Sequence, residues 1–432
     1  MEIRLKNIGR FRDAEVEIKT ITVIAGENGS GKSTVGKALF GVFNALSNIN
    51  RRIEAERVNN LKNDIRELIF TWRSQLWEIG DSILNMFVHH SIVGRIATEI
   101  LKIYSREEQI TEEQIKAICL SALSNNFRGG KIDVLEKIIQ DSQFGRIVEK
   151  LKISDNQVIL KLLTKGLKTE FNDQISNIYF ENTSDASIAL TIKNKITSIH
   201  FQQNTAKSIE NFQLLQQVFY IDDPFVIDEL DIFLDDDLEL NHRKLLKQSL
   251  VEKKGLLDEI MGEEKLQEVV KLLNKVCEGE MEENNNDFYY SSKKHPAKLN
   301  IRSISTGMKT FMILKTLIQN GFIQENGTII LDEPEIHLHP EWQVKLAEII
   351  VVLQKALKLH ILINTHSPYF LNAIEVFSRE HKVEKCKYYL AQEIDEFTSV
   401  VEDVTHDTSV VYAKLARPFR LLEEKRVELE ER

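Results

Sequence analysis

Gly26-Glu27-Asn28-Gly29-Ser30-Gly31-Lys32-Ser33 is the stretch from which the rest of the chain is read. A phosphate-binding loop needs glycines so that backbone N–H groups can close around phosphate oxygens, a lysine to reach them, and a hydroxyl for Mg²⁺. Gly26, Gly29 and Gly31 supply the turn, Lys32 the charge and Ser33 the hydroxyl, with Asn28, Ser30 and Thr34 counted among the nucleotide-contacting residues. Such a loop works between a strand and a helix. Ile21-Thr22-Val23-Ile24 is a β-branched run before it, and Val35, Ala38, Leu39, Val42, Phe43 and Leu46 follow at helical spacing.

The complementary half comes far downstream, as Ile329-Ile330-Leu331-Asp332-Glu333-Pro334. Two carboxylates after an apolar strand suit two tasks, because one can organise a magnesium shell while the other orients or deprotonates a water. Asp332 fits the first task, as metal ligand with Ser33, and Glu333 the second. Together the two halves predict a site for a magnesium–nucleoside triphosphate and hydrolysis of its terminal phosphate.

Between the halves the pattern changes several times. Residues 1–49 read as two short strands, the loop strand and the loop helix. Residues 50–176 follow a helical period, for example Ile65, Leu68, Ile69, Trp72, Leu76 and Ile79, and form a helical insertion. In 177–224, the alternation in Asn177-Ile178-Tyr179-Phe180 and Ala189-Leu190-Thr191-Ile192 predicts a small antiparallel sheet, and Val218-Phe219-Tyr220-Ile221 predicts a buried strand returning to the core. A second helical insertion covers 225–285, with the polar run Glu282 to Asn286 as a loop. From 286 to 407, a hairpin (Phe288-Tyr289-Tyr290 with Lys298-Leu299-Asn300-Ile301) precedes helix 307–320, strand 328–332, helix 339–358, strand 360–364, helix 368–378 and strand 387–393. Alternation of that kind predicts a mainly parallel sheet covered by helices. A charged helix closes the chain at 408–432. The fold class is α/β, a split nucleotide-binding core with a large, mainly helical insertion.

The chain has 432 residues, and 42% hydrophobic residues suffice for a core. No apolar run is long enough to cross a bilayer and the N-terminus lacks a signal-peptide core, so a cytoplasmic location and no membrane partner are expected. A net charge of −10 disfavours coating of nucleic acid by bulk electrostatics, while a local basic groove for DNA stays open. Cys119, Cys277 and Cys386 are scattered singly and read as ordinary thiols. His89-His90 and Asp235-Asp236-Asp237 are assigned no chemistry.

Ile304-Ser305-Thr306-Gly307-Met308-Lys309, at a helix start before the acidic strand, resembles the signature motif of ABC-type ATPases, with Thr306 in the place of its first glycine. Glu335-Ile336-His337-Leu338-His339-Pro340, Asn364-Thr365-His366-Ser367-Pro368 and the opening Leu5-Lys6-Asn7-Ile8-Gly9-Arg10-Phe11-Arg12 are similar to motifs of ABC-clan, AAA-type P-loop ATPases related to the OLD, Rad50 and SMC families. The resemblance covers roughly the first 50 and last 130 residues and implies an ABC-type ATPase head with a mixed sheet flanked by helices. It further implies that Lys32 and the loop amides bind phosphates and that Glu333 is the catalytic base. His366 would be a switch histidine sensing the γ-phosphate, and Ser305 and Gly307 would touch ATP held by a second subunit. Arg12 would lie along the adenine or α-phosphate, and His337 and His339 would shape a dimer-facing loop. Gln216 and Gln217 are candidates for the glutamine loop of that family.

ATP sandwiched between copies implies a homodimer or higher homo-oligomer. Residues 50–300 lack sustained heptads and a Cys-x-x-Cys hook, which disfavours a long coiled-coil arm. The segment after His366 is too short for the Toprim nuclease of OLD proteins. Stand-alone ATPases of this kind resemble the ATPase half of bacterial anti-phage defence pairs such as the Septu type, in which a separate nuclease or toxin is the effector. The expected function is therefore a self-associating ATPase that acts as sensor and regulatory scaffold for such an effector. The alternatives are a Rad50/SMC-like repair ATPase that clamps DNA, and, given Thr306, a nucleotide-binding scaffold with little turnover.

Overall fold

The chain opens on an antiparallel hairpin, β1 (Glu2–Ile8) with β2 (Phe11–Glu17), in which Ile3, Leu5, Phe11, Ala14 and Val16 face inward and the charged residues between them face out. β3 (Ile21–Gly26) is buried along its whole length and runs through the phosphate loop into α1 (Lys32–Leu46), whose Val35, Ala38, Leu39, Val42, Phe43 and Leu46 form the predicted buried stripe. The computed structural model describes residues 1–76, 90–107, 109–124, 131–179, 186–210, 217–230, 241–253, 256–285 and 287–430. Ile79, His89, Phe180, Gln216, Asp235-Asp236-Asp237 and Asn286 lie outside those residues.

Helices follow: α2 (Ile49–Leu76), α3 (His90–Glu107), α4 (Glu112–Ser124), α5 (Lys131–Asp141), α6 (Gly145–Leu151) and α7 (Asp155–Glu170). The chain divides into two compact units, Met1–Ser47 with Leu160–Arg432, and Asn48–Ile159. The second has its own core, in which Ile65, Ile69 and Trp72 meet Ile96, Ile100, Cys119, Leu135 and Phe144. Trp72 Nε1 donates to Ser142 Oγ at 2.7 Å, which satisfies the polar edge of an otherwise buried ring. The helical run expected over 50–176 thus divides within α7. Leu167 fills the space where Gly41 of α1 lacks a side chain, and Thr164 Oγ1 accepts from Ala206 N at 2.9 Å.

β4 (Ala186–Ile192), β5 (Lys195–Gln202) and β6 (Thr205–Glu210) pair antiparallel as the alternation predicts, and they extend the main sheet because β4 pairs antiparallel with β1. Asn177 to Tyr179 is a turn and not a strand; Asn177 Oδ1 accepts from Tyr179 N at 2.8 Å and closes it. β7 (Val218–Ile221) is fully buried and is followed by α8 (His242–Val251) and α9 (Leu256–Val276). The polar run from Glu282, expected as a loop, belongs largely to β8 (Glu280–Asn284), which pairs with β9 (Asp287–Ser292); β10 (His295–Asn300) completes a separate three-stranded sheet. Glu282 there pairs with Lys298 of β10, so an acidic strand is accommodated on a wet face.

The last third alternates as its sequence predicts: α10 (Thr306–Gln319), β11 (Thr328–Asp332), α11 (Pro340–Leu357), β12 (His360–Thr365), α12 (Pro368–Glu380), β13 (Lys387–Glu393), β14 (Ser399–Asp403), α13 (Ser409–Leu415) and α14 (Arg417–Glu430). The large sheet has the order β6-β5-β4-β1-β2-β14-β13-β3-β12-β11-β7. Strands β13, β3, β12, β11 and β7 are mutually parallel, and the other half is mostly antiparallel. Among the described residues no helix is long and apolar enough to cross a membrane.

Candidate active site

Parallel strands deliver their C-terminal ends to one edge of the sheet, and the loops there build the site. The phosphate loop leaves β3 at Gly26. A Cβ on Gly26 would fall 2.2 Å from the carbonyl oxygen of Ala391 on β13, so only glycine lets the two strands sit this close. Gly31 has φ +92°, and a Cβ there would stand 2.8 Å from Cζ of Phe11. Lys32 is 4% exposed, and its Nζ donates to Gly26 O (3.0 Å) and Glu27 O (2.9 Å). Ser30 Oγ donates to Glu27 O at 2.8 Å and tightens the same turn.

β12 lies between β3 and β11, which puts Asn364 level with both Ile24 and Asp332. Asn364 Nδ2 donates to Asp332 Oδ1 at 2.8 Å, and the Tyr220 hydroxyl donates to Asp332 Oδ2 at 2.5 Å. Glu333 follows with φ +51°, an uncommon backbone for a residue with a side chain, held by donation from its N–H to Asn364 O at 2.9 Å. That twist turns its carboxylate toward the loop: Glu333 Oε1 lies 3.3 Å from Lys32 Nζ and 3.4 Å from His366 Nδ1.

The nearby His366 and then the Lys32 charge hold the Glu333 carboxyl below the usual carboxylate range against the opposing effect of burial. Reciprocally, the Glu333 carboxylate raises the His366 imidazole above its ordinary value. Glu335 sits behind His366, 2% exposed, and burial pushes its carboxyl up. Its Oε1 accepts from Thr365 Oγ1 and, at 3.2 Å, from His366 N, which fixes the backbone that carries the imidazole.

The structure therefore brings Lys32, Asp332, Glu333 and His366 together at the mouth of the loop. Ser33 is half-buried in the first turn of α1, Thr34 packs against Gly9, and Asn28 is exposed on the loop. Ser305 and Gly307 open α10, where Gly307 lies against Leu338 and Trp342. Arg12 is exposed on β2; Arg10 reaches the loop instead, donating to Gly29 O at 2.8 Å and pairing with Glu393. His337 meets the Phe225 ring edge-on, and His339 caps α11 by accepting from Glu341 N. Gln217 precedes β7. Sequence reading missed Arg10, Tyr220, Glu335 and Asn364 as members of the site. Arg10, Glu335 and Asn364 stand inside quoted motifs, whereas Tyr220 in an apolar strand carries no chemical signal.

The residues present fit a magnesium nucleotide. The glycine cradle leaves no room for a Cβ, a buried ammonium stands at its centre, and the Ser33 hydroxyl and Asp332 carboxylate offer the hard oxygen donors that Mg²⁺ takes.

A phosphate loop, an acid pair one strand removed from it across β12, and an antiparallel wing on the same sheet define an ABC-type P-loop ATPase head. The chain belongs to the AAA ATPase domain family, whose model matches residues 1–371, and it is a nucleotide-binding ATPase. Among solved structures it is similar to the SMC head domain from Thermotoga maritima, with 9% identity over 93% of this chain and 98% of that one, TM-score 0.40. It is likewise similar to an Smc head bound to the C-winged helix domain of ScpA, with 12% identity over 95% of this chain and 98% of that one and TM-score 0.40. A third similarity is to an Smc head with an extended coiled coil bound to the C-terminal domain of ScpA derived from Pyrococcus furiosus, with 11% identity over 98% of each chain and TM-score 0.33.

Proposed function

We propose that this chain is an ATP-hydrolysing, self-associating switch for a separate effector, a nuclease or toxin, in bacterial anti-phage defence. The observation that carries the catalytic part is the convergence of Lys32, Glu333 and His366 within 3.4 Å contacts, beside Asp332. Lys32 and the loop amides hold the phosphates, and Ser33 with Asp332 would hold Mg²⁺. Bound there, the metal would neutralise charge on the phosphate oxygens. Glu333, ionised at neutral pH, orients the attacking water and accepts its proton as the new bond to the γ-phosphorus forms and the bond to the leaving ADP oxygen breaks. His366 holds Glu333 from the other side and faces the γ-phosphate. Ser305 and Gly307 present the free N–H groups of the α10 N-terminus to ATP on a second copy. ATP thereby joins two heads, and hydrolysis parts them. The resemblance to stand-alone ATPases of defence pairs supports an effector in trans.

The test is the solution mass of Glu333→Gln protein with and without Mg-ATP, purified together with the products of neighbouring genes. An ATP-stabilised assembly containing a co-purifying nuclease or toxin is expected. A dimer alone that retains DNA, or robust nuclease activity of the lone chain, would overturn the effector reading; no change of mass with ATP would overturn the sandwich.

A further inference from the structure

Asp332 is gripped from both flanks. Asn364 on β12 ties one carboxylate oxygen and Tyr220 on β7 ties the other, at 2.8 and 2.5 Å. Tyr220 is 1% exposed and pairs in register with Ile330, two residues before Asp332, so its ring runs along the sheet to reach the carboxylate. A phenol donating to an ionised carboxylate is a strong, directional bond, and the bonded oxygen keeps a further lone pair.

The ring itself is held. It lies on the His242 imidazole with centroids 4.7 Å apart and planes at 34°, and Phe40 contacts both rings. His242 is bridged between carboxylates: its Nδ1 is 2.6 Å from Glu170 Oε2 and its Nε2 is 3.1 Å from Asp222 Oδ2, while its backbone N–H donates to Glu170 Oε1 at 3.0 Å. Arg243 adds a second contact to Asp222 at 3.1 Å. An imidazole facing two carboxylates donates from both nitrogens and cannot turn.

We propose that Tyr220 is a positioning residue for Asp332, fixing the carboxylate in the orientation that meets magnesium, and that the His242 bridge between Glu170 and Asp222 sets the Tyr220 ring. The proposal rests on the assignment of Asp332 to the metal. Groups that orient a ligating carboxylate change metal affinity by about 10- to 100-fold when removed. A tyrosine that merely satisfied a buried carboxylate would change stability alone.

The experiment measures, on the purified full chain, the Mg²⁺ concentration that half-saturates binding of a fluorescent ATP analogue, with a melting curve for each variant. Tyr220→Phe keeps the ring and removes one oxygen; it is expected to raise the half-saturating Mg²⁺ about 10-fold, with nucleotide affinity at saturating Mg²⁺ near the parental value. His242→Gln keeps the hydroxyl but loosens the ring, and a smaller shift in the same direction is expected. Asp332→Asn separates the two levels of inference. Parental Mg²⁺ dependence in Tyr220→Phe and His242→Gln, beside its loss in Asp332→Asn, overturns the positioning role and leaves the metal assignment standing. Parental dependence in Asp332→Asn overturns the assignment itself.

Discussion

Glu333 carries the largest load of any single residue in the site. It occupies a left-handed backbone position just past the end of a buried strand, and faces an ammonium and an imidazole. Replacing its carboxylate by the isosteric amide removes the proposed proton acceptor and leaves the loop, Lys32 and Asp332 in place. Glu333→Gln is therefore expected to lower kcat by roughly 100-fold or more while ATP affinity stays close to parental, as steady-state turnover and equilibrium binding would show. Parental turnover would remove Glu333 from the role of base. Lys32→Ala has the opposite signature: it deletes the buried ammonium that bonds to Gly26 O and Glu27 O, and titration of a nucleotide should show weakened binding. The acid pair and Lys32 were legible as residues because their chemistry is local. That Glu333 points at Lys32 was not, since it depends on a backbone twist pinned by Asn364 from a neighbouring strand.

At the scale of elements, the junction of β3 and β13 is the tightest point near the site. A methyl group on Gly26 would meet the Ala391 carbonyl at 2.2 Å, and a backbone atom inside a sheet has little freedom to yield. Gly26→Ala is expected to cost about 1–3 kcal/mol by overpacking and to weaken nucleotide binding together with stability. A melting curve beside a binding titration checks this, and a variant with both values parental would contradict the packing. The alternation from α10 to β13 is legible in the sequence, because β-branched runs bounded by turns and helical stripes leave strong periodic marks, whereas the single closing helix expected at 408–432 is two, α13 and α14. For the strands after residue 185, alternation shows one wet face but not which edge a strand joins; pairing of β4 with β1 decides that. The acidic strand β8 was read as a loop, since its partner lysine on β10 is not visible from composition.

At the scale of the molecule, His242 joins the end of α7, the end of β7 and the start of α8, segments distant in sequence. Burial pulls its pKa down, but its hydrogen bonds to Asp222 and Glu170 outweigh that and hold it at about 9, above the unfolded value of 6.5. A raised folded value means that the stabilisation is fully present below pH 6.5 and is lost as pH rises through about 9. The contribution is on the order of a few kcal/mol. The parental chain is therefore expected to lose melting temperature between pH 6.5 and above 9, whereas His242→Gln should start lower and decline less over the same span. Equal slopes in the two proteins would count against the bridge.

By itself the sequence determined the phosphate loop, the acid pair, the alternation of the last third and hence the class of ATPase, because each is written in residues close together and in their periods. Only the tertiary structure decided which neighbours serve those groups. Insertion of β12 between β3 and β11 brings Asn364 to Asp332, packing of β7 beside β11 brings Tyr220 to its other oxygen, and the β1–β2 turn brings Arg10 to the loop. Those contacts are non-local pairings set by strand order, and strand order minimises exposed apolar surface over the whole sheet, a quantity that no short stretch of sequence contains.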